Sequence, residues 1–344
     1  MPALTDRWTL AGLELPNRVA LAPLAGIGNW FVRLQARRYG AGLVVSEMVS
    51  SCAVHYGNER TWRELLRIDE REHAGGPVSI QLFGSDPEMT RSAAAHVAAL
   101  GADLIDLNMG CPVPKVCKTG AGAALLDDAD RAVAIARAAR EGSGLPVTVK
   151  LRSGRRAGEQ GGVRLAHRLV DEAGVCAIGF HPRSAAVGHR GAPDYALAAE
   201  LVRTLDAPVI LSGALHTAQA TQEAFEATGA AGVMLARGAL GNPWIFEEVL
   251  GVRDHPPSNA EVLIELDWVI DRATEHMGEP RAARYMRRFY PWYLERLELD
   301  RSQIRRLQAD LQQASSFARA RELLAEIDDG HDGHYATAGV TAVA

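Results

Sequence analysis

The chain has 344 residues, 47% of them apolar, and a formal net charge of −5. That length accommodates one large domain and a smaller one, and the apolar content suits a folded enzyme rather than a disordered or low-complexity protein. The acidic balance excludes a chain that holds nucleic acid through bulk positive charge, although a local basic patch remains possible.

Short apolar or β-branched runs recur at residues 19–22, 43–46, 78–82, 104–107, 147–150, 177–180, 209–212 and 232–235. Ala-rich amphipathic stretches fall between them, such as Pro87–Ala99 behind an Asp86 N-cap and residues 129–140. Eight βα units in this span predict an α/β protein with a (β/α)8 barrel over residues 10–252. A doubly wound parallel sheet is the alternative, but no G-x-G-x-x-G follows the first strand. The stretch Arg253-Asp254-His255-Pro256-Pro257-Ser258 reads as a linker. Three helical segments are expected after it, at Asn259–Met277, 280–297 and 301–328, forming a small all-α domain over residues 259–328. Residues 329–344 lack periodicity and are expected to form a disordered tail.

Four scattered cysteines, Cys52, Cys111, Cys117 and Cys176, include no C-x-x-C pair. The spacing argues against a metal site or a disulfide framework and favours a reducing cytoplasm. Neither a signal-like N-terminus nor an apolar run of membrane-spanning length is present, so no membrane association is expected.

A barrel carries its chemistry at the C-terminal ends of its strands and in the loops after them. Polar residues fall there in six successive units: Gln81, Asn108 with Cys111, Lys150, His181 with Arg183, Ser212 and Arg237. Asn108-Met109-Gly110-Cys111-Pro112 places a thiol on a turn directly after a strand, where its S–H is able to give up a proton; a buried structural cysteine is the plainer alternative. Lys115 and Lys118 follow in a cationic, Gly-rich loop. Gly-rich turns after the seventh and eighth strands expose backbone N–H groups at Ser212-Gly213 and Arg237-Gly238, which suits a cofactor phosphate. Lys150 within an apolar barrel suits stabilisation of an anionic ring such as a reduced flavin, with a Schiff-base lysine or an ion pair as alternatives. Gln81 and Asn108 offer donors and acceptors for a pyrimidine edge.

The motifs Leu21-Ala22-Pro23-Leu24-Ala25-Gly26, Ile80-Gln81-Leu82-Phe83-Gly84, Asn108-Met109-Gly110-Cys111-Pro112, Val149-Lys150-Leu151-Arg152 and Gly238-Ala239-Leu240-Gly241-Asn242-Pro243-Trp244 resemble those of the tRNA-dihydrouridine synthases, the bacterial B-type branch in particular. Arg287-Arg288-Phe289-Tyr290-Pro291-Trp292-Tyr293-Leu294 resembles the motif after the barrel in that branch. The resemblance implies a flavin-bearing barrel followed by a helical tRNA-binding domain, and reduction of a D-loop uridine to 5,6-dihydrouridine with FMN and NADPH. Pro23, Gln81, Asn108 and Lys150 would contact the flavin ring, with His181 beside it. Ser212, Gly213, Arg237 and Gly238 would take the phosphate. Cys111 would be the general acid, protonating C5 after hydride reaches C6. Arg183, Lys115 and Lys118 would meet substrate or phosphate.

The chain departs from the family pattern at Ile27-Gly28-Asn29, at Ser212-Gly213-Ala214-Leu215 where Asn-Gly-Asp-Ile is usual, at His181-Pro182-Arg183-Ser184, and at Ala236. These changes bear on fine geometry more than on the activity. Between Arg281 and Arg306 eight Arg stand against Glu295, Glu298 and Asp300. Within an acidic chain, Arg284, Arg287 and Arg288 at helical spacing are expected to bind the tRNA backbone, with the neighbouring aromatics packing as core. A small-molecule flavoenzyme of the dihydroorotate dehydrogenase kind is the competing function, and a non-catalytic RNA-binding barrel is a third.

Overall fold

The computed structural model describes residues 2–328; the tail expected at 329–344 lies outside them. The chain divides into two compact units, one running through His255 and the other starting at Pro256.

The first unit opens with an antiparallel hairpin, β1 (Trp8–Leu10) and β2 (Leu13–Leu15). Its two turn residues, Ala11 and Gly12, have φ of 49° and 87°. Two successive positive φ values give a turn that matches strand twist, but alanine is an unusual residue for it, and the hairpin is not evident in the sequence. The parallel strands follow: β3 (Val19–Leu21), β4 (Leu43–Val45), β5 (Val49–Ser50), β6 (Val78–Phe83), β7 (Leu104–Asn108), β8 (Val147–Arg152), β9 (Ala177–His181), β10 (Val209–Leu211) and β11 (Gly232–Leu235). They pair in the order β4-β3-β11-β10-β9-β8-β7-β6, and β4 also pairs with β6 through Val44↔Val78 and Val45↔Ser79. That last ladder closes an eight-stranded barrel and excludes the open doubly wound sheet. The two-residue strand β5 is an addition to the predicted set, lying beside the end of β6.

Alternate strand residues point inward, and along each strand the inward set changes character. Near the strand starts it is apolar: Ala20, Leu43, Val45, Leu104, Ala177, Ile210 and Met234 form one cluster with Leu10 and Leu15 of the hairpin. The hairpin thus supplies side chains to the barrel core. Further along, the register aligns Gln81 with Asp106 and Asp106 with Thr148, then Asn108 with Lys150, then Arg152 with His181. A hydrophobic floor beneath a polar mouth follows from this two-residue periodicity.

Around the barrel, Asp86, Asp128, Asp194 and Thr217 cap helices by accepting backbone N–H bonds. Ahead of β6, the Arg37 guanidinium donates to the carbonyls of Ala41, Glu72, Gly75, Gly76 and Pro77. One side chain thereby satisfies the backbone of a whole connecting loop.

In the second unit, Asn259–Met277 is a single helix, but the other two predicted segments are each broken in two. Residues 280–297 form the helices Glu279–Met286 and Tyr290–Leu294. Pro291 explains the break, because it has no N–H to donate to the Arg287 carbonyl four residues earlier. That carbonyl instead accepts from Gln312 Nε2 at 2.7 Å. Residues 301–328 form Arg301–Gln313 and Phe317–Asp328, separated by an extended turn at Ala314. Phe289, Tyr290 and Tyr293 are buried and belong to the core, whereas Trp292 of the same motif is half-buried.

Leu10 is 1% exposed and packs inside a closed barrel whose walls have little freedom to collapse. Leu10→Ala is therefore expected to cost about 3 kcal/mol, read as a lower chemical-denaturation midpoint of the barrel. A loss below about 0.5 kcal/mol would show that the hairpin does not seal the core.

Candidate functional site

The polar mouth of the barrel lines a cavity that includes Pro23, Gln81, Asn108, Cys111, Lys150 and His181, together with Ser212, Gly213 and Arg237. Seven separate strand ends thereby bring the predicted residues to one place. Gly238 lies beside this set on the short helix Arg237–Ala239, where a Cβ would meet the Leu215 carbonyl at 2.7 Å.

The deepest polar layer is a hydrogen-bonded chain. Asp106, 2% exposed, accepts from Thr148 Oγ1 at 2.6 Å and from Gln81 Nε2 at 2.6 Å. Gln81 Oε1 accepts from Asn108 Nδ2 at 2.9 Å. Asn108 Oδ1 accepts the backbone N–H groups of Gly110 at 3.3 Å and Cys111 at 2.9 Å. Burial pushes Asp106 up to about 6, although the bonds from Thr148 and Gln81 and the Lys150 charge oppose it. It remains largely ionised at neutral pH.

Lys150 Nζ donates to Ser212 Oγ at 2.8 Å. Burial and then the Arg152 charge lower it to about 8, with Asp106 pulling the other way, so it is mostly cationic at pH 7. Ser212, in the position where the family more usually has Asn, is thus an anchor for this lysine. Gly179 on β9 stands in register with Lys150.

Cys111 is half-buried on the turn held by Asn108, and burial pushes its thiol pKa up, against the opposing pull of the Val113 N–H. The thiol therefore stays protonated through neutral pH. His181 is pushed down to about 2 by burial, then by Lys150, Arg152 and Arg183. Arg183 Nη1 lies 3.2 Å from its Nε2. A guanidinium only donates, so Nε2 accepts, and the neutral ring carries its proton on Nδ1. Gly213 packs over this ring: a Cβ there would come within 2.6 Å of His181 Cδ2.

After β10, Gly213 and Ala214 adopt φ of 112° and 60°. Among the described residues, no backbone carbonyl accepts the N–H groups of Gly213, Ala214 or Arg237. Exposed Arg237 adds positive charge beside them. Uncommitted N–H donors around a cation form an anion cradle.

The substrate-facing expectations divide. Lys115 and Lys118 are exposed on and just after the short helix Pro114–Cys117, and Lys118 shares a shallow cavity with Arg155 and Arg156. Arg183 is more enclosed: it is 7% exposed and donates to the Gly191 carbonyl besides bonding His181 Nε2. Arg284, Arg287 and Arg288 are exposed in the second unit. Arg287 and Arg288 lie in the turn after Met286, with the Arg288 guanidinium 4.8 Å from the Tyr285 ring centroid.

A family model described as Dihydrouridine synthase (Dus) matches residues 20–328. The chain belongs to the dihydrouridine synthase family. It is an oxidoreductase of the tRNA-dihydrouridine synthase type. It is 35% identical over 287 residues to tRNA-dihydrouridine synthase B of Xanthomonas axonopodis pv. citri, covering 81% of this chain and 84% of that one. To the enzyme of the same description from Pseudomonas aeruginosa it is 34% identical over 327 residues, covering 93% and 96%. Among solved structures, morphinone reductase in complex with tetrahydroNAD aligns with a TM-score of 0.54 at 18% identity, covering 76% of this chain and 94% of that one. The old yellow enzyme homologue from Zymomonas mobilis aligns with a TM-score of 0.52 at 15% identity, covering 70% and 90%. These two likenesses establish the barrel fold.

The site of this dihydrouridine synthase also contains or rests on residues that the sequence reading passed over. Met48 and Arg152 line the mouth, Met48 with a 3.6 Å contact from Asn108 Nδ2 to its sulfur, and Asp106 and Thr148 lie buried beneath it. A carboxylate inside the otherwise apolar strand Leu104–Asn108 was the available signal for Asp106. Arg152 lies two residues beyond Lys150, hence on the same inward face.

The raised Cys111 pKa sets the direction of a pH profile. Thiolate accumulates only above the raised value, so alkylation of Cys111 by iodoacetamide is expected to be slow at pH 7, with a midpoint above that of an unperturbed thiol near ~8.5. A midpoint at or below about 7.5 would mean that the turn stabilises thiolate.

Proposed function

We propose that this dihydrouridine synthase reduces a uridine in the D-loop of tRNA to 5,6-dihydrouridine, with FMN in the barrel mouth and NADPH as reductant, in the cytoplasm. The observation that carries the reading is Cys111: a thiol kept protonated by burial, on a turn pinned by Asn108, at a cavity floored by a cationic lysine.

The residues fit a flavin mononucleotide. The N–H groups at Gly213, Ala214 and Arg237, with the Arg237 side chain, suit its phosphate. Gly238 lets the Arg237 turn pack tightly against the Leu215 and His216 backbone beside that cradle. Gln81 commits one amide hydrogen and one oxygen lone pair inside the protein and keeps capacity to face a ring edge, whereas Asn108 spends its amide on Gln81, Met48 and the Gly110 and Cys111 N–H groups and borders the ring by packing. Lys150 supplies positive charge for an anionic ring, and the neutral His181 offers Nδ1–H. Pro23 contributes an apolar wall. A flavin bound here supplies the hydride that enters C6 of the uracil.

Cys111 then answers the negative charge that develops on the substrate: its S–H bond breaks, the proton goes to C5, and the thiolate left behind takes a proton from solvent. A target base must leave its stack to reach the mouth, which a tRNA loop permits more cheaply than a duplex. Lys115 and Lys118 at the rim, and Arg284, Arg287 and Arg288 in the helical unit, meet the phosphate backbone. Those arginines support an RNA substrate over a free pyrimidine, since the small-molecule chemistry has no use for them.

Cys111→Ala is expected to retain FMN and tRNA while losing at least about a hundredfold in turnover. Turnover of tRNA by that variant at the wild-type rate would remove the thiol from the acid role. Reversing charge at both Arg284 and Arg288 (Arg284→Glu with Arg288→Glu) should raise the tRNA Kd about tenfold or more in low salt, and NADPH oxidation without tRNA should continue. Unchanged tRNA affinity in low salt would exclude these arginines from the interface.

A further inference from the structure

We propose that Asp106, which lies inside the barrel and distant in bonding from the reacting atoms, is a positioning residue for the Cys111 turn, acting through Gln81 and Asn108. The three connecting bonds, Gln81 Nε2 to Asp106, Asn108 Nδ2 to Gln81 and Cys111 N–H to Asn108, measure 2.6, 2.9 and 2.9 Å. All three run in one direction, each donor pointing back toward the carboxylate.

Both ends of the chain dictate that direction. An ionised carboxylate accepts only, so the Gln81 amide must turn its NH2 toward Asp106 and its oxygen toward Asn108. At the far end, the backbone N–H groups of Gly110 and Cys111 donate only, so Asn108 must turn its oxygen to them. The two ends agree, and neither amide has a second orientation that satisfies its neighbours. Thr148 completes the arrangement by donating to the other Asp106 oxygen at 2.6 Å, and the Gln81 main chain is held separately by its N–H to Ser46 Oγ at 2.9 Å. The chain's polarity thus fixes which way the turn carrying the thiol faces. The consequence for catalysis rests on Cys111 being the acid; the positioning of the turn does not.

A double-mutant cycle in the FMN-loaded protein tests this, using variants of nearly unchanged volume. In Asp106→Asn, the new amide oxygen still takes the Gln81 donor while its NH2 turns to Thr148 Oγ1, so the direction survives. In Thr148→Val, the carboxylate keeps Gln81 in place. When the two substitutions are combined, the amide NH2 introduced at position 106 faces an apolar isopropyl group at position 148 unless it turns to Gln81. Turning reverses the chain against the fixed N–H of Cys111. The readout is site-resolved hydrogen exchange of the Cys111 amide. Each single variant should stay within about threefold of wild type, and the double variant should exchange about tenfold faster than the product of the singles. Amides within β6, β7 and β8 should not change, and kcat should fall with the Cys111 exchange while KM for tRNA holds. Multiplicative effects at Cys111 would overturn the proposal. So would a rise shared equally by the three strands, which is the mark of a merely structural network. Because exchange is read at the backbone, the result stands even if Cys111→Ala proves active.

Discussion

Asp106 occupies the barrel interior with 2% of its surface exposed, where an ionised carboxylate persists only if its oxygens are bonded and a counter-charge is near. Thr148 and Gln81 provide the bonds, and Lys150 one layer above provides the charge. Two of these partners, Gln81 and Lys150, reappear at the mouth. Gln81 holds Asn108, Asn108 holds the Cys111 turn, and Lys150 gains back part of the protonation that burial takes away. A single buried carboxylate therefore bonds into the chain that reaches the Cys111 turn and also favours the charged form of Lys150.

That charge is tolerated because the floor beneath it is dry and well packed. The β1–β2 hairpin adds Leu10 and Leu15 to the apolar ends of the strands, so the polar layers begin only above a sealed core. The site also separates two kinds of cation. Lys150, Arg152 and Arg183 are held inside, bonded to protein oxygens or to His181, and they add to the burial that keeps His181 neutral. Arg237, Lys115 and Lys118 stand exposed, where they are able to meet phosphate without a desolvation cost.

Much of this was legible in the sequence, for identifiable reasons. All eight barrel strands were visible because strands buried on both faces read as short continuous apolar runs. The residues of the mouth were visible because a lysine, asparagine or histidine ending such a run has few other reasons to be there. The hairpin was hidden by a turn built on Ala11 at positive φ, a residue that gives no turn signal. The broken helices were hidden because Pro291 reads as tolerable at a helix start, and the partner of the vacated carbonyl, Gln312, lies 25 positions away. Arg183 shows a further limit: its charge was plain, but its commitment to His181 and the Gly191 carbonyl depends on loop geometry. Asp106 was seen as part of a strand and not as part of the site, since its two donors come from the neighbouring strands β6 and β8.

The central claim, that this chain makes dihydrouridine in tRNA, is tested most directly by mapping dihydrouridine in tRNA by mass spectrometry. The tRNA would come from a host that lacks this gene and any redundant synthase, before and after the gene is restored. The account predicts that dihydrouridine is missing from the D-loop in the deletion and returns there on complementation. An unchanged map in both states would contradict it and turn attention to a small-molecule substrate for the same flavin site.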